Sequence, residues 1–221
     1  MSAEGAALTL NKRMPVVKGV VFDLGGVVID WNPMYLYRKV FEGDETKAAN
    51  FLATICTAEW NGEQDGGRDL IQATAERVAL FPEWEREIRC YYGRWIEMIG
   101  GPIPGTGELM TEIKAAGLHL FALSNWHCET FARVRYHFKE LDLFEHIVLS
   151  GEHGCIKPNP PIYAIALDCY GMEPENLVFV DDSPANVEAS ARAGLPALLF
   201  TGADKLRHDL QQLGVPLQAR G

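Results

Sequence analysis

Five short stretches of the chain are nearly continuous in apolar residues, and each runs into a polar or glycine step. Residues 16–22 form a valine-rich run that stops at Asp23-Leu24-Gly25-Gly26. Residues 118–123 end in Ser124-Asn125, 146–149 in Ser150-Gly151, 177–180 in Asp181-Asp182, and 196–200 in Thr201-Gly202. A short apolar run without alternation is what a strand buried on both faces requires, as in a parallel sheet. Between the later runs the apolar spacing lengthens to three and four. Leu109, Ile113 and Ala116 precede Gly117, and Ile162, Ile165, Ala166 and Cys169 precede Gly171. A third helical segment opens at Ser183-Pro184 and closes at Gly194. Glycine behind and Ser-Pro ahead are the stop and start signals of helices. Strand and helix in alternation predict an α/β fold with a doubly wound, parallel, Rossmann-like sheet.

Residues 33–101 depart from this pattern. They hold no valine-rich run, are rich in Ala, Glu, Arg and Trp, and predict helices over 44–56, 68–80 and 83–99. The glycine- and proline-rich segment 100–105 reads as a hinge. The expected organisation is a core domain of residues 16–32 and 102–215, a helical cap domain inserted at 33–101, and a loose N-terminal extension over 1–15.

Composition narrows the function classes. A hydrophobic fraction of 48% over 221 residues excludes a disordered chain. The net charge of -10 argues against a nucleic-acid or anionic-membrane binder, which needs a basic face. The longest apolar stretches fall far short of the roughly 18 residues of a membrane span, and residues 1–15 lack the apolar core of a secretion signal. Five scattered cysteines, an odd number, fit reduced thiols. The chain is expected to be cytoplasmic, a monomer or homodimer, with a small-molecule partner.

In an open parallel sheet, ligands bind beyond the carboxyl ends of the strands. Those ends carry Asp23, Ser124, Asp181 and Asp182, and Lys157 follows the third run. Each has an ordinary reading alone, as a cap, a turn residue or a solvated charge. Placed together, three carboxylates raise one another's pKa unless a cation intervenes. A hard divalent ion with oxygen ligands, most simply Mg²⁺, meets that need.

Phe22-Asp23-Leu24-Gly25-Gly26-Val27-Val28, Leu123-Ser124-Asn125, Lys157-Pro158 and Val180-Asp181-Asp182-Ser183-Pro184-Ala185-Asn186 resemble the four motifs of the haloacid dehalogenase superfamily. The helical segment sits where that superfamily's first-type cap lies. The chain looks most like bacterial phosphatases of small sugar phosphates, including the glucose-1-phosphatase type. The resemblance implies that Asp23 attacks phosphorus to give an aspartyl-phosphate. It implies Mg²⁺ held by Asp23, the Gly25 carbonyl and Asp182, with Asp181 orienting its neighbours. Ser124, the Asn125 backbone N–H and Lys157 would hold the phosphate.

Gly25 departs from the pattern, because most phosphatases of the superfamily carry there an Asp that acts as general acid and base. Val27 likewise replaces a common Thr. A 2-haloacid dehalogenase with Asp23 attacking carbon is the alternative, although Asp181-Asp182 would repel its carboxylate substrate. A catalytically weak metabolite-binding relative is a second alternative. Within residues 60–68, Trp60, Gln64 and Arg68 are read as a specificity loop over the sugar part, against the plainer reading of a connecting loop. Trp31 and Trp126 are expected to pack first and stack on substrate second. His127, Cys128, His153 and Cys155 match no standard zinc spacing and are expected to line the cleft.

Overall fold

A computed structural model describes residues 16–218, so the expectation for 1–15 lies outside the described residues. Five strands form one sheet: β1 Gly19–Phe22, β4 His119–Ser124, β5 His146–Leu149, β6 Leu177–Asp181 and β7 Ala197–Leu199. Their order is β5-β4-β1-β6-β7, with every pairing parallel. The first of the five apolar runs thus supplies the central strand, and all four residues of β1 are buried.

Side chains alternate across this sheet as the pleat requires. Val20, Phe22, Leu120, Ala122, Val178 and Val180 join one core cluster. Val21, Phe121, Leu123, Leu177 and Phe179 join another on the opposite face. Helices α6 (Thr106–Ala115) and α11 (Ala203–Gln212) cover the first face through Leu109, Ile113, Leu206 and Leu210. Helices α9 (Pro160–Tyr170) and α10 (Pro184–Arg192) cover the second through Ile162, Tyr163, Ala166 and Ala189. Short helices α7 (Cys128–Val134) and α8 (Ser150–His153) follow β4 and β5. Phe22 is in register with both Ala122 and Val180. The chain therefore leaves β1 and β6 at one level, at Asp23 and Asp181.

The segment between β2 (Ile29–Trp31) and β3 (Ile99–Pro102) is helical: α1 Met34–Val40, α2 Glu45–Thr54, α3 Ala58–Asp65, α4 Leu70–Leu80 and α5 Glu85–Gly93. Asp44 and Asp69 cap α2 and α4, accepting from Lys47 N and Gln72 N. Its interior is aromatic, with Tyr37 against Phe51 at 4.8 Å and Trp60 against Tyr91 at 5.2 Å between ring centroids. Edge-on and tilted pairs of this kind add to area burial. This interior is continuous with the first face of the sheet.

Three local features differ from the sequence expectation. Residues 99–102, expected within a helix and a hinge, instead pair with β2 as an antiparallel ribbon. Helix α1 follows Asn32-Pro33, where Asn32 Oδ1 accepts from Met34 N, and is too short to show a period. Helix α3 occupies what reads as a loop. Its Asn61-Gly62 centre has poor helix propensity, and it forms because Thr57 caps it and Trp60 is buried. Among the described residues, no helix is long and apolar enough to cross a membrane.

Candidate active site

The carboxyl ends of β1, β4 and β6 meet around one buried ammonium. Lys157 is 2% exposed. Its Nζ lies 2.9 Å from Asp23 Oδ1, 2.7 Å from Asp181 Oδ2 and 2.9 Å from the Leu123 carbonyl. All three of its hydrogens are thereby used. Lys157 is held from behind by Asn125, whose Nδ2 donates to the Lys157 carbonyl at 2.9 Å. Asn125 Oδ1 accepts from the Lys157 amide at 2.8 Å. This paired bond ties the loop after β4 to the loop after α8, a bracing role for the Asn125 side chain that its motif position does not reveal.

The two neighbouring aspartates differ in what engages them. Asp181 is fully buried and accepts from Lys157, the Ser183 amide and Asn186 Nδ2. Asp182 is exposed to the cleft. Gly26, at φ +74°, makes room for it, since a Cβ there would stand 2.3 Å from Asp182 Oδ2. Oxygens of Asp23, Asp181 and Asp182 lie within 4.8 Å of one another, the one such group of metal-ligating side chains among the described residues. With Asp181 committed to Lys157 and Asn186, Asp23 and Asp182 are the carboxylates of this group that face the cleft. Such an oxygen set suits a hard divalent cation.

Burial dominates the electrostatics. Desolvation pushes the Asp23 carboxyl up to about 7, with Lys157 opposing and Asp181 adding to the rise. Leu24 N and the Ser124 hydroxyl also donate to Asp23 and favour its anion. Asp182 is raised by burial and by Asp181. Desolvation works against the charge of Lys157, but Asp23 and Asp181 together outweigh it and raise its pKa. A cation between Asp23 and Asp182 would relieve the excess negative charge.

A cavity of about 510 Å³ opens over these groups. Its floor is Asp23, Gly25, Gly26, Ser124, Asn125, Lys157 and Asp182. Its roof comes from the helical insert through Ala58, Asn61, Gly62, Asp65 and Trp95, with Trp31, Trp126 and Ile156 at the sides. The sequence-predicted residues Trp60, Gln64 and Arg68 do not line it. Helix α3 buries Trp60 and Gln64 in the insert, and Arg68, beyond the end of that helix, pairs on the surface with Glu63 and Glu76. The same helix instead presents Asn61 and Asp65, one residue on from Trp60 and Gln64. Trp31 and Trp126 do reach the cavity. His127 is buried, and its Nδ1 accepts from the Glu129 amide as the cap of α7. Neither it nor Cys128, His153 or Cys155 belongs to the metal-ligating group.

Residues 17–194 match the haloacid dehalogenase-like hydrolase family. The chain belongs to that family. Proteins to which it is similar include a sesquiterpene phosphatase of Aspergillus oryzae, 27% identical over 89% of this chain and 96% of that protein. A phosphorylated carbohydrates phosphatase of Thermotoga maritima is 27% identical over 81% of this chain and 82% of that protein. In fold the chain matches a HAD family enzyme of Bacteroides thetaiotaomicron solved with magnesium and inorganic phosphate. That likeness has a TM-score of 0.65 at 19% identity, covering 87% of this chain and 98% of that one. As a haloacid dehalogenase-like hydrolase the chain is an enzyme, and the strand-end residues just described all lie within the matched span.

Proposed function

We propose that this hydrolase is a Mg²⁺-dependent phosphatase of a small phosphate monoester, with a sugar phosphate as the substrate class. The observation that carries the reading is the division of labour between Asp181 and Asp182. Asp181 is engaged by Lys157 and Asn186, which leaves Asp182 and the oxygen of Asp23 not held by Lys157 for a cation in the cleft. A carboxylate substrate, as a dehalogenase takes, would meet three carboxylates there against the single ammonium of Lys157. A phosphate ester accompanied by a divalent ion would not. The names of the relatives from Aspergillus oryzae and Thermotoga maritima support the same direction.

Asp23, the Gly25 carbonyl and Asp182 are the groups that would hold Mg²⁺. When bound, it supplies positive charge against the phosphoryl oxygens. The chain's own residues do the rest. Asp23 attacks phosphorus, the ester bond to the leaving oxygen breaks, and an aspartyl-phosphate forms; water then attacks that phosphorus and frees Asp23. Phosphoryl transfer asks chiefly for position and charge. Lys157 holds Asp23 Oδ1, which leaves the other oxygen to attack, and Ser124 with the Asn125 amide holds a phosphate oxygen. The indoles of Trp31, Trp95 and Trp126 present apolar surface and limit water above the site.

Phosphate release from a panel of sugar phosphates, with Mg²⁺ or with a chelator and with Asp23→Asn as control, tests this reading. Mg²⁺-dependent release that Asp23→Asn abolishes is expected. Folded protein that releases phosphate from none of them overturns it.

A further inference from the structure

The space above Gly25 is open: a Cβ built on it meets nothing within 4 Å. No side chain there can give a proton to a leaving group, so the donor must come from elsewhere in the cleft. The ionisable side chains lining the cleft are Asp23, Lys157, Asp182 and Asp65. Lys157 has spent its hydrogens, Asp23 is the nucleophile, and Asp182 faces the cation position. Asp65 is left.

Asp65 is built into place with unusual care for the last residue of a short helix. It is 9% exposed. Asn61 Nδ2 donates to its Oδ2 at 2.8 Å, and Tyr92 donates to Asn61 Oδ1 at 3.0 Å, so Asn61 is itself held. The backbone N–H of His127 is directed at the same carboxyl. Ser150 Oγ donates to the Asp65 carbonyl at 2.5 Å and accepts from Trp126 N at 3.0 Å. One hydroxyl thus joins the end of α3 to the loop that carries Ser124 and Asn125. Just beyond, Gly67 lies so close to the core that a Cβ on it would stand 2.6 Å from the Gly151 carbonyl. The insert is seated on the core at the point where Asp65 enters the cavity.

Resting on the phosphatase reading, we propose that Asp65 is the general acid and base of the reaction, delivered from the helical insert in place of the carboxyl absent at Gly25. In the first step the proton on Asp65 passes to the leaving oxygen as its bond to phosphorus breaks and Asp23 bonds to phosphorus. In the second, the Asp65 carboxylate takes a proton from water as that water's oxygen bonds to phosphorus and the bond to Asp23 breaks. The products are the alcohol, inorganic phosphate, free Asp23 and reprotonated Asp65. The titratable and charged groups around it are Asp23, Lys157 and Asp182 on the cleft floor, Tyr91 and Tyr92 from α5, and His127. Burial, with Asp23 adding, pushes Asp65 up to about 8, and the His127 amide only partly opposes this. Asp65 therefore carries its proton near neutrality and can regain it after each turnover.

The test compares Asp65→Asn with the wild type on two substrates. A sugar phosphate has an alkoxide leaving group that needs a proton, whereas p-nitrophenyl phosphate does not. On the sugar phosphate, kcat is expected to fall by about 10²–10⁴-fold, the usual worth of a general acid or base. On p-nitrophenyl phosphate, one equivalent of nitrophenolate should appear in a burst and turnover then stall, because no base activates water. Asp65→Glu should restore part of the sugar-phosphate rate. Asp65→Ala, read the same way, covers a folding failure of the amide variant. An active wild type whose Asp65 variants turn over both substrates within about threefold, or lose both without a burst, overturns the proposal alone. A wild type inactive on both substrates overturns the phosphatase reading and the proposal with it.

Discussion

Replacing Lys157 by Met removes the one buried cation at the strand ends while nearly keeping its volume. The ammonium stands 2.9 Å from Asp23 and 2.7 Å from Asp181. At an effective dielectric of 20, each such contact corresponds to about 6 kcal/mol of gross attraction. Carboxylate repulsion and the several kcal/mol needed to strip water from a buried ammonium offset much of this. Taking one partner out of a buried ionic cluster then leaves a net loss of about 3–5 kcal/mol. The loss has a sign in pH. Asp23 already titrates near 7 with Lys157 beside it, and without Lys157 its folded pKa rises further. A carboxyl with a raised folded pKa contributes stability that is complete below its unfolded value and disappears as pH rises through the folded value. The variant should therefore lose about 3–5 kcal/mol at about pH 8.5 and about 2 kcal/mol less at about pH 5, where Asp23 is protonated in both proteins. Urea unfolding of both proteins, without metal, at these two pH values measures this directly. An equal loss at both would refute the reasoning, since it would assign the effect to packing rather than charge.

Because Asp23 and Asp182 are both raised by burial, the metal-free protein should become less stable as pH rises from about 6 to 8. Mg²⁺ should raise the melting temperature more at the upper end of that range, and Asp182→Asn should remove most of the difference; thermal unfolding with and without Mg²⁺ reads both. Arg68→Ala, which breaks only surface pairs, should leave KM unchanged across sugar phosphates. Trp31→Leu, at the cavity wall, should change KM among them by about 1–3 kcal/mol equivalent, and steady-state kinetics on the panel distinguishes the two.

Much of the sheet and the strand-end site is legible in the sequence, because both depend on short-range rules. A valine run buried on both faces cannot be much besides a central strand, and the register of parallel strands then sets Asp23 and Asp181 side by side. The insert is harder to read. Its helix α3 carries Asn and Gly at its centre and is held by the distant aromatics Tyr91 and Tyr92, so its local signal resembles a loop. Misreading the helix misplaces its faces. Trp60, Gln64 and Arg68 attract attention as large polar and aromatic groups, yet the helix turns Trp60 and Gln64 inward, and Arg68 lies beyond its end on the surface. Asn61 and Asp65, four apart, share the face that meets the cleft. A four-residue spacing of polar groups after a Thr cap was the available signal, and it makes sense only once α3 is recognised as a helix. The bond pair between Asn125 and Lys157 joins positions 32 apart in sequence, and no local pattern announces it.

The central claim is that Asp23 carries the phosphoryl group during turnover. Acid quenching during hydrolysis of a sugar phosphate, followed by peptide mapping by mass, tests it. A hydroxylamine-labile phosphoryl group is expected on the peptide containing residue 23, present with Mg²⁺ and absent in Asp23→Asn. Sustained phosphate release with no modified peptide, or with the phosphoryl group on another residue, would contradict it.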